Sequence, residues 1–120
     1  MANEIKASVS LDYADGSRAA KLSFGGLSFD VTGDNYTQVT MEAPITTAGA
    51  MELGDITTPG WCVIRNLDDT NFVEIRDGLS GADVIKLPAN GIALFYLATS
   101  TPYVIADTAA CDIEYLIIEA

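Results

Sequence analysis

The sequence predicts an all-β fold: a jelly-roll-like β-sandwich of about eight to ten short strands, with an N-terminal three-stranded meander and no significant helix. Short runs rich in β-branched and aromatic residues alternate with Gly, Pro, Asn and Asp. No window keeps an apolar period of about 3.6 residues long enough to form a helix. So many strands exceed the usual size of one sheet, and we therefore expect two packed sheets. With 120 residues the chain is long enough to bury a core, as one β-sandwich domain over residues 1–120.

The N-terminal quarter carries the clearest strand pattern. Apolar and polar residues alternate over Ile5–Tyr13, which is typical of a strand with one wet face. Asp15-Gly16 is a strong hairpin signal, and Gly25-Gly26 offers a second tight turn. These turns predict the three-stranded meander, over residues 4–32. We also keep open that residues 1–43 form a meander or arm that contacts a neighbour. The first turn predicts Val9 opposite Leu22, Leu11 opposite Ala20 and Ser10 opposite Lys21.

Five further strands follow from the same signals. Two of them, Ile92–Leu97 and Tyr115–Ile118, are apolar on both faces. Residues 46–60 are read as a long loop with a short apolar element at Met51–Leu53. The five predicted strands are Tyr36–Ile45, Val84–Leu87, Ile92–Leu97, Tyr103–Ala106 and Tyr115–Ile118.

The stretch Trp61–Arg76 reads as a central hairpin, with arms Trp61–Leu67 and Phe72–Arg76 joined by a polar four-residue turn. A symmetric turn would set Arg65 opposite Glu74. One face would then enter the core through Cys62, Ile64, Val73 and Ile75. The other face would carry Trp61, Val63, Leu67 and Phe72 beside the Arg65–Glu74 pair. Because a solvent face rarely carries four such residues, we predict a subunit interface formed by Trp61, Val63, Arg65, Leu67, Phe72 and Glu74.

The composition argues against several classes of function. The chain has 17 acidic and 6 basic residues, a net charge of −11, which disfavours nucleic acid and anionic membranes as partners. It has no histidine, which removes Ser-His-Asp and Cys-His catalysis and His-based metal sites. The acidic residues show no spacing that marks a catalytic pair. We predict that the protein is not an enzyme and has no catalytic residue, cofactor or metal.

Three features of the sequence allow a second interpretation. The segments Asp68–Asn71 and Asp77–Asp83 gather oxygen ligands, but they fit turns better than a calcium loop. Cys62 and Cys111 are read as two free buried thiols, with a single disulfide as the alternative. The aromatic residues are read as core and subunit contacts, and the alternative is a sugar-binding platform. Those aromatic residues are Trp61, Phe72, Phe95, Tyr96 and Tyr103.

The second half of the chain resembles small structural proteins of tailed bacteriophages. The resemblance covers about residues 59–120 and lies in the runs GWCVIRNLDDTNFVEIRDG, VIKLPANGIALFYLA and CDIEYLIIEA, with Tyr103–Asp107 between the last two. It implies a capsid decoration (cement) protein, a homo-oligomer, trimer rather than dimer, that is made in the host cytoplasm and clamps neighbouring major capsid (coat) protein subunits on the virion exterior. The alternatives are a carbohydrate-binding virion adhesin module and a neck or tail component.

Overall fold

The computed structural model describes residues 4–120, which form ten β-strands and no helix. This confirms the predicted fold class. The described chain divides into two compact units, residues 4–32 and residues 33–120, so the strand Tyr36–Ala43 belongs to the second unit. The strands are β1 (Ile5–Asp15), β2 (Arg18–Phe29), β3 (Tyr36–Ala43), β4 (Gly49–Ala50), β5 (Pro59–Asn66), β6 (Val73–Arg76), β7 (Asp83–Leu87), β8 (Ile92–Tyr96), β9 (Tyr103–Ala106) and β10 (Cys111–Glu119).

Residues 33–120 form a sandwich of two four-stranded antiparallel sheets. The first sheet has the order β3-β10-β5-β8, and the second has the order β4-β9-β6-β7. Each link between consecutive strands crosses from one sheet to the other, except the β6–β7 link. Eight strands interleaved in this way across two sheets are the arrangement of a jelly roll.

The core lies between the two sheets and is filled by the inward residues of alternating strands. β10 shows the rule, because Cys111, Ile113, Tyr115 and Ile117 are buried and the residues between them are more exposed. The predicted inward residues of the central stretch are also confirmed as core. They are Cys62, Ile64, Val73 and Ile75.

The predicted hairpin between β5 and β6 is wrong. β5 pairs with β10 and β8 in the first sheet, and β6 pairs with β7 and β9 in the second. The polar turn is therefore a corner that carries the chain from one sheet to the other. Alternating burial shows which side chains of a strand enter the core, but it does not identify the neighbouring strand. Two strands in opposite sheets of a sandwich bury the same side chains as two strands that pair in one sheet.

Residues 4–32 form a two-stranded hairpin instead of the predicted meander. Asp15 pairs with Arg18, so the turn residues are Gly16 and Ser17, and Gly16 has a φ of +59°. This shifts the predicted register by two residues, which keeps every side chain on its predicted face. The observed pairs are Val9 with Phe24, Leu11 with Leu22, Ser10 with Ser23 and Tyr13 with Ala20.

Gly25-Gly26 forms a β-bulge and not a second turn. Val9 pairs with Phe24 and Ala7 pairs with Leu27, so the two glycines lie opposite Ser8. Gly26 has a φ of +67°, a conformation that glycine adopts without the steric penalty of a side chain. β2 therefore continues past the glycines to Phe29.

Candidate interaction surfaces

The outer face of the first sheet carries a row of apolar side chains over β8, β5 and β10. Val63 lies between Leu94 on one neighbouring strand and Leu116 on the other. Ile92 lies two residues before Leu94 on β8; it extends this apolar surface along the strand and is 74% exposed. We call this surface the outer patch; it consists of Trp61, Val63, Ile92, Leu94, Tyr96 and Leu116.

Trp61 and Tyr96 form the aromatic end of the outer patch. The two residues are register partners, and their ring centroids lie 5.5 Å apart with an interplanar angle of 85°. This is the edge-to-face arrangement that aromatic pairs prefer. Trp61 is half-buried and Tyr96 is exposed, so the pair presents an amphipathic rim.

The six residues predicted as a subunit interface lie in three places. Trp61, Val63 and Arg65 share the outer face of the first sheet. Arg65 lies opposite Glu114 of β10, and the predicted pairing of Arg65 with Glu74 is wrong. Leu67 follows β5 in the corner and is exposed. The role of the six residues in an interface stays a prediction.

Phe72 and Glu74 lie on the side of the second sheet. Phe72 is half-buried, and the Lys86 ammonium lies 4.0 Å from its ring centroid, a cation–π contact. Glu74 lies opposite Lys86 in β7 and opposite Ile105 in β9. Burial and the nearby Asp83 carboxylate raise the pKa of Glu74. These contacts make the second sheet's outer face more charged than the outer patch.

The corner between β5 and β6 is held by hydrogen bonds of its own. The Asp68 carboxylate accepts the backbone N–H groups of Thr70 at 3.0 Å and Asn71 at 2.6 Å, and these bonds lower the pKa of Asp68. The buried Asn66 amide donates to the Asn71 carbonyl at 2.9 Å. One Asp68 carboxylate oxygen is thus engaged in an Asx turn, which supports the turn interpretation. Within residues 4–120, no three His, Cys, Asp or Glu side chains are grouped so that they could hold a metal ion.

Cys62 and Cys111 are free and buried, as predicted. Burial raises the pKa of the Cys62 thiol to about 12. Burial, together with the nearby Asp68, Asp107 and Asp112, also raises the pKa of Cys111. The Cys111 thiol contacts the Ala109 carbonyl oxygen at 3.3 Å. Thiols held in the protonated form are poor nucleophiles, so both side chains act as small core residues.

The N-terminal hairpin carries a second apolar surface. The odd-numbered residues of β1 lie on one face with their register partners from β2, and both strands are mostly exposed. The bulge preserves this face, because Phe24 and Leu27 would otherwise point to opposite sides of the strand. We call it the hairpin face; its five rows are Ile5–Phe29, Ala7–Leu27, Val9–Phe24, Leu11–Leu22 and Tyr13–Ala20.

A groove of about 440 Å³ lies between the edge strands β7 and β8 of the sandwich. Phe95, Tyr96 and Ile85 supply apolar lining, and Arg76 and Asp77 supply polar groups. A sugar-binding site requires an aromatic ring beside hydrogen-bonding groups, and this groove brings both together.

The sequence prediction missed that β8 and β10 complete the patch around Val63. The signal was present, because both strands are apolar on both faces.

The described part of the chain contains no helix long and apolar enough to cross a bilayer. No protein-family model, curated protein or solved structure matches the chain, so the similarity to phage virion proteins stays a prediction.

Proposed function

We propose that the protein is a non-enzymatic virion structural protein: a bacteriophage capsid decoration protein that oligomerises and clamps neighbouring coat subunits on the outer shell. The observation that carries the proposal is the outer patch. A jelly roll needs only the inner faces of its sheets to fold, yet the first sheet also places Val63, Leu94 and Leu116 side by side on its outer face. Such a contiguous exposed apolar surface is typical of a protein contact.

The proposed mechanism is burial of this apolar surface across the boundary between coat subunits. Apolar area removed from water contributes about 25 cal/mol per Å². One small contact is weak, but an oligomer that engages several coat subunits at once gains a high effective concentration for each further contact. The rigid sandwich holds the patch in one shape, so binding orders few side chains.

The charge distribution fits a clamp that is exposed to solvent. The chain has a net charge of −11, which opposes non-specific aggregation of the unbound protein. On the outer face of the first sheet, Arg65 and Glu114 lie opposite each other beside Ile92. We expect this pair to fix the register of the partner at the rim of the patch, while the apolar row supplies the affinity.

The test is co-sedimentation with shells assembled from the major capsid protein of the same virus. We expect the wild-type protein to sediment with the shells and the Leu94→Asp variant to bind at least tenfold more weakly, because its carboxylate would be desolvated in the contact. The matched control is Thr40→Asp, which adds the same charge to the same outer face on β3. Circular dichroism should show that both variants stay folded, since both side chains point away from the core. Equal binding by Leu94→Asp and the wild type would contradict the proposal, as would a wild-type protein that stays in the supernatant.

A second candidate function is that of a carbohydrate-binding virion adhesin, which the groove between β7 and β8 favours. Tyr96 offers an aromatic ring, and Arg76 and Asp77 offer hydrogen-bonding groups beside it. A glycan array separates the two candidates. Glycan binding that is lost in Tyr96→Ala and kept in Leu94→Asp would support the adhesin, whereas shell binding that is lost in Leu94→Asp, with no glycan bound by the wild type, would support decoration.

A further inference from the structure

We propose that the hairpin face is covered by the hairpin face of a second copy of this chain, which makes the N-terminal hairpin the self-association element. The inference deepens the proposed function and rests on it for the statement that the protein works as an oligomer. It assigns self-association to residues 4–32 and leaves the outer patch for the coat.

The first argument is that the hairpin cannot bury its own apolar side chains. A two-stranded sheet has no second layer, and an isolated hairpin is at best marginally stable in water. Leu11 is 74% exposed and its partner Leu22 is 62% exposed. The opposite face is polar, with Ser10 paired to Ser23 and Asp12 paired to Lys21. A strand pair with one wet and one apolar face needs a layer on the apolar side.

The second argument is continuity. The bulge at Gly25-Gly26 is the feature that keeps Phe24 and Leu27 on one face, so all five rows form an uninterrupted strip. A hairpin that served only as a linker or to increase solubility would not need a bulge that keeps its apolar side chains on one face.

The third argument, from charge, selects a second copy as the occupant. Residues 1–32 contain four acidic and three basic residues, a net charge of −1. Residues 33–120 contain the other thirteen acidic and three basic residues, a net charge of −10. Two copies therefore repel least through their hairpins. A basic partner would be drawn to the acidic sandwich, whereas the five rows of the hairpin face carry no charged side chain and favour a surface as apolar as themselves; the adjoining Asp15 and Arg18 are register partners of opposite charge.

The exposed apolar area of the hairpin face is just below that of a stable specific interface. Six large apolar side chains of the strip are between 38% and 74% exposed: Val9, Leu11, Tyr13, Leu22, Phe24 and Leu27. At roughly 150 Å² for a large side chain, this corresponds to about 480 Å² per copy and about 960 Å² for a pair. A specific interface needs about 1,000 Å² in total. We therefore expect a concentration-dependent association rather than a permanent one.

The test measures the mass of the full chain by light scattering after size exclusion, over about 1 to 100 µM. The test variant is Leu11→Thr with Leu22→Thr, which makes one row of the strip polar and keeps residues that favour strands. The control is Ser10→Thr with Ser23→Thr, the adjacent row on the opposite face. We expect the wild type and the control to form oligomers, and the test variant to dissociate at least tenfold more readily towards its monomer mass of 12.7 kDa.

A second measurement tests the contact directly, by cross-linking. Under mild oxidation, Leu22→Cys should form a disulfide between copies, and Ser23→Cys, on the polar face, should not. A test variant with the wild-type mass would overturn the inference and leave the decoration function standing. A wild-type protein that is monomeric at all concentrations would also overturn it. If that monomer still sediments with coat shells and the Leu11→Thr, Leu22→Thr variant does not, then coat protein covers the hairpin face. The decoration function itself fails if the wild type does not bind shells, or if Leu94→Asp binds them as well as the wild type.

Discussion

Replacing Asn66 by Ala should destabilise the sandwich more than any other single change at the corner between β5 and β6. The Asn66 side chain is fully buried. Its amide nitrogen lies 2.9 Å from the Asn71 carbonyl oxygen, 3.3 Å from that of Leu87 and 3.2 Å from that of Pro88. Its oxygen accepts the backbone N–H of Asp68 at 3.0 Å. One side chain thus joins the end of β5 to the start of β6 and to the end of β7.

The magnitude follows from counting these bonds. The amide has two N–H groups, so it makes two donated bonds at a time and one accepted bond. Each contributes about 1 kcal/mol net, and a buried carbonyl that is left without a donor adds about 1 kcal/mol or more. We expect Asn66→Ala to lower the free energy of unfolding by about 3–4 kcal/mol. With a urea m-value of about 1.5–2 kcal/mol per M, the unfolding midpoint should fall by about 2 M.

The assay is equilibrium unfolding in urea, followed by Trp61 fluorescence. Two further variants give the result its meaning. Gln38→Ala, on the exposed face of β3, should stay within about 0.5 kcal/mol of the wild type. Asn66→Leu restores side-chain volume without hydrogen bonds, so it should be nearly as unstable as Asn66→Ala. A midpoint shift below about 0.5 M for Asn66→Ala, or full recovery in Asn66→Leu, would refute the reasoning, because volume and not hydrogen bonding would then hold the corner.

Two further predictions concern titratable groups. The Glu119 carboxylate accepts the backbone N–H groups of Thr57 and Asp34 and the Asn35 side-chain amide, and these bonds hold its pKa below the ordinary 4.5. The charged form therefore stabilises the fold above pH 4.5, and this contribution is lost as the pH falls through the folded-state pKa. The difference in thermal midpoint between wild type and Glu119→Gln should be largest at pH 7 and disappear in acid; a constant difference would contradict this. Cys62 and Cys111 should not react with a thiol reagent in the native protein at pH 8 and should both react in urea, and a fast native reaction would show that one of them is accessible.

The sequence predicted side-chain faces far better than strand partners. Alternation placed Ile64 and Ile75 in the core, and both are buried. It also placed Leu11 and Val9 on one face of β1, where they lie. Burial along one strand depends on the local period of two residues, which is visible in any short window. This is why the core and the fold class were accessible.

Strand partners depend on contacts that are distant in sequence. Arg65 was predicted opposite Glu74, but its partners Glu114 and Ile92 lie far along the chain. A polar segment such as Asp68–Asn71 has the same composition in a hairpin and in a corner between sheets. Gly25-Gly26 was ambiguous for a similar reason, because two glycines permit a tight turn or a bulge, and only the pairing beyond them decides. The outer patch was missed as a unit since it is assembled from three strands that local patterns cannot align.

The position of β10 has a consequence for how the sandwich forms. β10 follows all the other described strands in the chain, yet in the first sheet it lies between β3 and β5. During synthesis, both of these strands keep an unpaired edge until β10 leaves the ribosome. The sandwich therefore closes in one late step that joins distant segments, and such non-local closure is slow. A ribosome-bound or truncated chain that lacks β10 would expose two open strand edges, which are templates for aggregation and for capture by chaperones.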